Sequence, residues 1–331
     1  MRTPSRRRLL LGGAGGLAAT AAMLRRAKAQ AARPWPQRPV RLLVPYAPGG
    51  GTDVFTRTLA EGLREQLGQP VLVENRAGAN GIIGSEMVAR AEPDGSLFLV
   101  DTGAHTMNPH VTPTLPFQPL RDFAPVALLS RFPLLLAAST ATPYRTVAQL
   151  VADAHAKPRS IGFGTSDAAI SYAGNLFTRL AGVEMVEVVY RGAAPMLNDL
   201  IAGHLPTSWN STVAALPHLQ SGRIRALGVT TAQRSALLPE VPTLIEAGVP
   251  GYEFAGWYGM LAPAGLPEGI AAAMHAAILA ALREPGMRER LARTGADLGV
   301  LGPAEFAALR QEEDARWAAA ARDGLLKHPD Q

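Results

Sequence analysis

Two glycine-rich loops hold the residues whose types and spacing could do chemistry. The first is Pro45-Tyr46-Ala47-Pro48-Gly49-Gly50-Gly51-Thr52-Asp53. The second is Glu74-Asn75-Arg76-Ala77-Gly78-Ala79-Asn80-Gly81-Ile82-Ile83-Gly84. Glycine has no Cβ, so the backbone can approach a ligand closely. A helix start adds free N–H groups and the positive end of the helix dipole, which together favour an anion. Two such loops side by side could grip one small anion between them. Asp53 has two readings: it satisfies N–H groups at the helix start, or it accepts a hydrogen bond from a ligand N–H or an ordered water. Arg57 stands at i+4 from Asp53 and is placed to pair with it.

Other chemistries lack their residues. There is no cysteine, so thiolate zinc sites, disulfides and cysteine nucleophiles are excluded. The sequence contains no G-x-S-x-G, H-E-x-x-H or G-x-x-x-x-G-K-[ST] pattern. Its seven histidines never fall at i, i+4 on one helix. His105 alone lies in a loop on the glycine-loop edge, where a hydrogen-bonding role is favoured over that of a catalytic base. Glu74 sits where a dinucleotide fold places its ribose-binding acid. The glycines there lack the G-x-G-x-x-G spacing, and Asp53 would put a carboxylate where a pyrophosphate docks.

The elements that must position these loops follow from the pattern. Residues 40–44 are a short apolar run with β-branched residues, expected as a buried strand, and 71–73 reads as another short strand. Val54, Phe55, Leu59, Leu63 and Leu67 make one apolar face of a helix after the first loop. A third strand, 97–100, opens into the polar loop 101–109. Three β–α units in a row predict a parallel sheet with right-handed crossovers. Residues 126–139 read as the strand that leaves a first lobe and enters a second. Strands at 160–164, 185–190 and 224–229 alternate with helices in that second lobe, and 224–229 is expected to carry the chain back. Two helices, about 267–283 and 303–322, close the chain.

The 331 residues are enough for two domains of ordinary size. Residues 1–31 have a basic start with paired arginines after Ser5, a weakly apolar stretch and small-x-small cleavage candidates. They predict an export signal of twin-arginine type, with an ordinary secretory signal or retained anchor as the alternative. Seven of the 32 Lys and Arg residues lie there, with none of the 27 Asp and Glu, so the rest of the chain carries a net charge of about −2. The basic balance belongs to the signal and is no nucleic-acid footprint.

These motifs resemble the Bug family of extracytoplasmic solute-binding proteins of tripartite tricarboxylate transporters. The resemblance rests on both glycine loops, Asp122-Phe123-Ala124-Pro125-Val126-Ala127, Val189-Tyr190-Arg191-Gly192, 223–230, Val241-Pro242-Thr243 and Trp257-Tyr258-Gly259, in order over about residues 34–325. It implies an α/β fold of the type II periplasmic binding protein kind, with two lobes, a hinge and a ligand cleft between them. Lobe 1 would comprise 32–130 and 228–331, and lobe 2 residues 131–227. It implies a monomeric periplasmic binder without cofactor or catalysis. Such a protein takes a small carboxylate or amide and works with membrane permease subunits. The alternative is a same-fold sensor acting with a signalling partner or, less favoured, an enzyme. Carried onto this sequence, the ligand contacts would be Tyr46, Ala47, Gly50, Thr52, Asp53, Ala79, Asn80 and Gly81. Gly103, His105, Thr106, Thr165, Ser166, Ser171, Tyr190 and Asn210 complete the expected cleft. Gly50 is expected to be the position where a side chain would crowd the site. Three departures stand out. Asp167-Ala168-Ala169-Ile170-Ser171 replaces a Gly/Ser-rich loop followed by histidine. Arg191 stands for the usual lysine, and 207–210 lacks the usual aspartate. Asp167 in the cleft would disfavour a second carboxylate nearby.

Overall fold

A computed structural model describes residues 35–326 except Pro113 and Arg191. It divides into Met1–Gln37 and Arg38–Gln331. Of the first unit only residues 35–37 are described, as irregular chain, and the expected export signal lies outside the described residues. All elements below belong to the second unit.

Strand β1 (Val40–Val44) is buried along its apolar run, because it is paired on both sides, in parallel, with β2 (Val71–Asn75) and β3 (Leu97–Thr102). Helix α1 (Gly51–Leu67) buries Phe55, Leu59 and Leu63, spaced one helical turn apart, and ends on Gly68 in the left-handed conformation. The second glycine loop makes one 3₁₀ turn (Ala79–Gly81) before α2 (Ile82–Ala89), and β3 runs into α3 (Ala104–Val111). The three β–α units expected from the pattern are therefore present, with their loops on one edge of the sheet.

Strand β4 (Phe123–Ser139) is 17 residues long and serves both lobes. Its first part, to Pro133, pairs with β9 (Ala255–Pro263). From Leu134 onward it pairs with β7 (Thr207–Ser211) and β8 (Ile224–Val229). Leu128 accordingly packs in the first-lobe core with Phe123, Leu99 and Phe306, whereas Leu135 packs in the second with Met196, Leu200 and Val229. With β5 (Gly162–Thr165) and β6 (Val186–Val189), the whole sheet has the order β2-β1-β3-β9-β4-β7-β5-β6, with β8 also on β4. In the second lobe β5 runs parallel to β6 and β7. Helices α4 (Val147–Ala156), α5 (Ala168–Ala181), α6 (Ala193–Ala202) and α7 (Thr212–Gln220) connect these strands.

Leu238 and Val241 still pack in the second-lobe core. The chain rejoins the first half of the sheet at Ala255, later than the position 228 expected from sequence. The segment between lacks the period of a helix or strand, so its sequence carried no boundary signal. Three crossings lie together at this point. Thr230 N–H donates to Leu134 O (3.0 Å), Leu134 N–H donates to Thr230 Oγ1 (2.8 Å), and Phe254 N–H donates to Thr230 O (2.9 Å).

Helices α8 (Glu268–Arg283), α9 (Pro285–Ala292) and α10 (Pro303–Arg322) finish the chain. Helix α9 is absent from the sequence reading, because its apolar residues are too few to make a stripe. The buried stripe of α10 contains Phe306 and Trp317, but also Arg310 and Glu313. Trp257 Nε1 donates to Glu313 at 2.9 Å, and Thr106 Oγ1 donates to it at 3.0 Å, which is how a buried carboxylate is tolerated there.

Gly259 on β9 lets Phe306 pack against the strand: a Cβ there would lie 2.3 Å from Phe306 Cζ and 2.8 Å from Trp257 Cζ3. Gly259→Ala should destabilise by about 1–3 kcal/mol through overpacking. Thermal denaturation followed by circular dichroism should show a melting point lower by several degrees, and an unchanged midpoint would contradict this packing.

Candidate functional site

The loops after β1, β2 and β3 face those after β5, β6 and β7 across a cavity of about 1240 Å³. Tyr46, Gly50, Asn80 and Gly103 line its first-lobe wall, and Ser166, Asp167, Ala193 and Val213 line the second. Phe254, Trp257, Trp317 and Glu313, all buried, form part of its lining.

The first glycine loop is fixed by a closed polar network. Asp53 Oδ2 accepts from Gly49 N–H (2.9 Å) and Arg57 Nε (3.0 Å), and its Oδ1 accepts from Asn75 Nδ2 (2.9 Å). Arg57 also donates to Asn75 Oδ1 (2.9 Å), and Asn75 Nδ2 donates to Tyr46 O (3.1 Å). Burial raises the pKa of Asp53, but the donors Arg57, Gly49 N–H and Asn75 outweigh it and bring it below its ordinary value. The second loop is held by a reciprocal pair: Asn80 Nδ2 donates to Asn108 Oδ1 (2.9 Å), and Asn108 Nδ2 donates to Asn80 O (3.1 Å). Asn80 itself has a φ of 51°, a left-handed conformation that asparagine tolerates better than most residues.

Tyr46 is anchored from behind. Its hydroxyl donates to Asp101 Oδ1 (2.8 Å) and lies 3.0 Å from Thr102 Oγ1. Asp101 Oδ2 receives Ser85 Oγ and faces His105 Nδ1, both at 3.1 Å. Burial raises the pKa of Tyr46 most, the neighbouring Asp101 adds to this, and Asp167 gives a smaller push from across the cleft.

The helix starts differ between the two walls. Helix α1 has Gly50 as N-cap and α3 has Gly103, and neither receives a side-chain cap. The first-turn N–H groups of α1 are therefore open to an acceptor in the cleft, whereas in α3 Ala104 N–H donates to Thr102 Oγ1 and Thr106 N–H to Gly103 O, both at 3.2 Å. In the second lobe Asp167 caps α5 by accepting from Ile170 N–H, and Ser211 caps α7 by accepting from Ala214 N–H. Helix α6 has an uncapped Gly192, but Pro195 in its first turn has no N–H. One wall thus offers mainly donors, and the other carries a fixed carboxylate.

A profile for the family described as Tripartite tricarboxylate transporter family receptor matches residues 55–323. The chain belongs to this receptor family. Protein BugT of Bordetella pertussis is 32% identical over 295 residues, covering 87% of this chain and 90% of BugT. The receptor is also similar to the structure of Rpa4515 of R. palustris with adipate. That match has 36% identity and a TM-score of 0.83, covering 89% of this chain and all (100%) of that one. MatC of Rhodopseudomonas palustris with bound malate is 32% identical with a TM-score of 0.77, covering 87% of this chain and 100% of that one. The Bug resemblance and the two-lobed periplasmic binding protein fold are thereby shown.

Of the receptor residues expected at the site, Tyr46, Ala47, Gly50, Thr52, Asn80, Gly103 and Ser166 line the cleft. The others stand behind this layer. Asp53 belongs to the loop network above. Ala79 and Gly81 flank Asn80, and a Cβ on Gly81 would lie 3.3 Å from the Tyr46 hydroxyl. The His105 ring lies in the core, 4.6 Å from the Phe123 ring. Thr106 serves Glu313 and Trp317, Thr165 donates to Glu187, and Ser171 accepts from Asn175. Tyr190 donates to Asp199, and Asn210 Nδ2 donates to Ser208 Oγ. Arg191 lies outside the described residues.

Gly50 has an ordinary extended backbone, φ −74°, and a Cβ there would meet only Ala47 O at 3.6 Å. The crowded position is Gly51, where a Cβ would lie 2.6 Å from the Tyr258 hydroxyl and 3.5 Å from Val213 Cβ. Sequence reasoning passed over Gly51, Val213 and Asp101. Only Asp101 had a signal, as an acid at the end of a strand on the glycine-loop edge.

The Asp53 network predicts a pH effect. A carboxylate held below its ordinary value of 3.8 contributes stability that is full above that value and lost as pH falls through the folded-state value. Asp53→Asn should cost about 1.5–3 kcal/mol at neutral pH. Urea denaturation should show the gap between variant and wild type constant above about pH 5 and shrinking as pH falls below the ordinary value of 3.8; a gap independent of pH would contradict the network.

Proposed function

We propose that this receptor is an exported solute-binding protein. It captures a small carboxylate, or a related amide, in the interlobe cleft and delivers it to membrane permease subunits. The observation that carries the reading is the uncapped helix start at Gly50, opening on the cleft beside Tyr46, Asn80 and Gly103. Ligand carboxylate oxygens accept from its backbone N–H groups, where the helix dipole favours negative charge. The donors are part of a rigid backbone, so little order is lost when they bind. Adipate and malate, seen with the two similar proteins, are both dicarboxylates, which supports the ligand class.

The cleft then closes on its ligand where Gly51 meets Val213, and no covalent step is required. The residues that line the wall touch the ligand, whereas Asp53, Asp101 and Asn108 hold that wall in place. Residues 1–31 direct export and are removed, which sets the protein in the periplasm.

The test is a thermal-shift and calorimetric screen of residues 32–331 against mono-, di- and tricarboxylates. A ligand at about 100 times its Kd adds about 2.7 kcal/mol and should raise the melting point by several degrees. Gly51→Val should keep the circular dichroism spectrum and weaken that ligand at least tenfold. Wild-type affinity in Gly51→Val, or no response to any carboxylate, would overturn the cleft assignment.

A further inference from the structure

The second-lobe wall carries a carboxylate that the capture of a simple acid does not use. Asp167 lines the cleft and is only half buried. Its position is fixed by the fold. Oδ1 accepts from Ile170 N–H at 3.0 Å as the cap of α5, and Ser166 Oγ donates to Oδ2 at 3.3 Å. Every one of these partners is a donor, so the side chain is held as an acceptor. Among the described residues no basic side chain forms an ion pair with Asp167, and no cation contributes to its electrostatic environment. Asp167 and Tyr46 line the same cavity from opposite walls, so Asp167 borders the space a ligand would fill.

The other acids that line the cleft are already occupied. Glu313 is taken by Trp257 and Thr106, and Glu61 pairs with Arg290. Asp167 retains free lone pairs. A ligand that closed this cleft with only a hydrocarbon or a second carboxylate against it would leave a desolvated acceptor unpaired or would set like charges together. A ligand N–H would satisfy it.

We propose that Asp167 is a specificity-determining residue that accepts a hydrogen bond from an ammonium or amide N–H of the ligand. The preferred solute is then a carboxylate that also bears nitrogen, an amino acid or an amide-bearing acid. This deepens the carboxylate reading above and rests on it.

Matched pairs that differ only by an amino group separate the two ideas: succinate against aspartate, glutarate against glutamate, and adipate against 2-aminoadipate. Isothermal titration of residues 32–331 should show the aminated member of at least one pair binding ten times or more tightly than its partner. Asp167→Asn keeps an oxygen to cap α5, so its melting point should stay close to wild type. The preference should fall at least tenfold in that variant, mostly by loss of affinity for the aminated member. Asp167→Ser, which also retains a cap, should behave alike. If both members of every pair bind equally, or the unaminated acids bind better, the role of Asp167 is overturned and the carboxylate cleft stands. If the preference exists but survives in both variants, the determinant is elsewhere and the proposal is likewise overturned. If no member of any pair binds, both readings fall.

Discussion

Strand β4 is the constraint on which the rest of the molecule depends. One strand of 17 residues cannot end one sheet and begin another without a point where it changes partners. That point is Pro133–Leu134, where β9 gives way to β7 and β8. Apolar residues continue on both sides of it, so each half of the strand buries itself in a different core. Leu128 and Leu135 belong to separate hydrophobic clusters although seven positions apart. The parallel units on either side then point their loops into the same space. The cleft follows from this topology before any side chain in it is chosen.

Within the cleft the chemistry is divided by helix capping. A glycine N-cap leaves first-turn N–H groups for a guest, whereas an aspartate or serine N-cap consumes one and contributes its own oxygen. The first lobe uses Gly50 in this way, while at Gly103 the Thr102 hydroxyl already takes Ala104 N–H, and the second uses Asp167 and Ser211 beside the uncapped Gly192. A single type of local choice, made at helix starts, sets the sign of the field that each wall presents. Glycine flexibility would defeat this arrangement if the loops were loose. The Asp53–Arg57–Asn75 network and the Asn80–Asn108 pair remove that freedom.

Much of this was legible in the sequence. The apolar run at 40–44, the apolar spacing after Gly51 and the repeat of the pattern at 71–91 fix three β–α units, because a strand and an amphipathic helix have different periods. The glycine loops marked the first-lobe wall for the same reason. What escaped was tertiary. That Gly51 and not Gly50 abuts the opposite lobe depends on the position of Val213, more than 160 residues on. The withdrawal of His105 into the core depends on Asp101, Phe117 and Phe123 enclosing it. Tyr190 and Asn210 were placed at the site by likeness of motif, and their actual partners, Asp199 and Ser208, are local polar contacts that no period reveals. The late return at Ala255 lies at the end of a stretch with no repeat to detect.

The three crossings at Leu134, Thr230 and Phe254 bear on how cheaply such a molecule can move. They lie side by side, and hydrogen bonds link each to the next. Shear or twist between the lobes would have to break those bonds, whereas rotation about the line joining them keeps them and works against contacts farther out, such as Arg179 on Asp323 O and the Tyr172–Trp317 ring pair. The three linked crossings thereby favour one rotation over the other rigid-body motions of the lobes. Most of the orientational entropy of bringing two walls together on a guest has then already been lost when the chain folds.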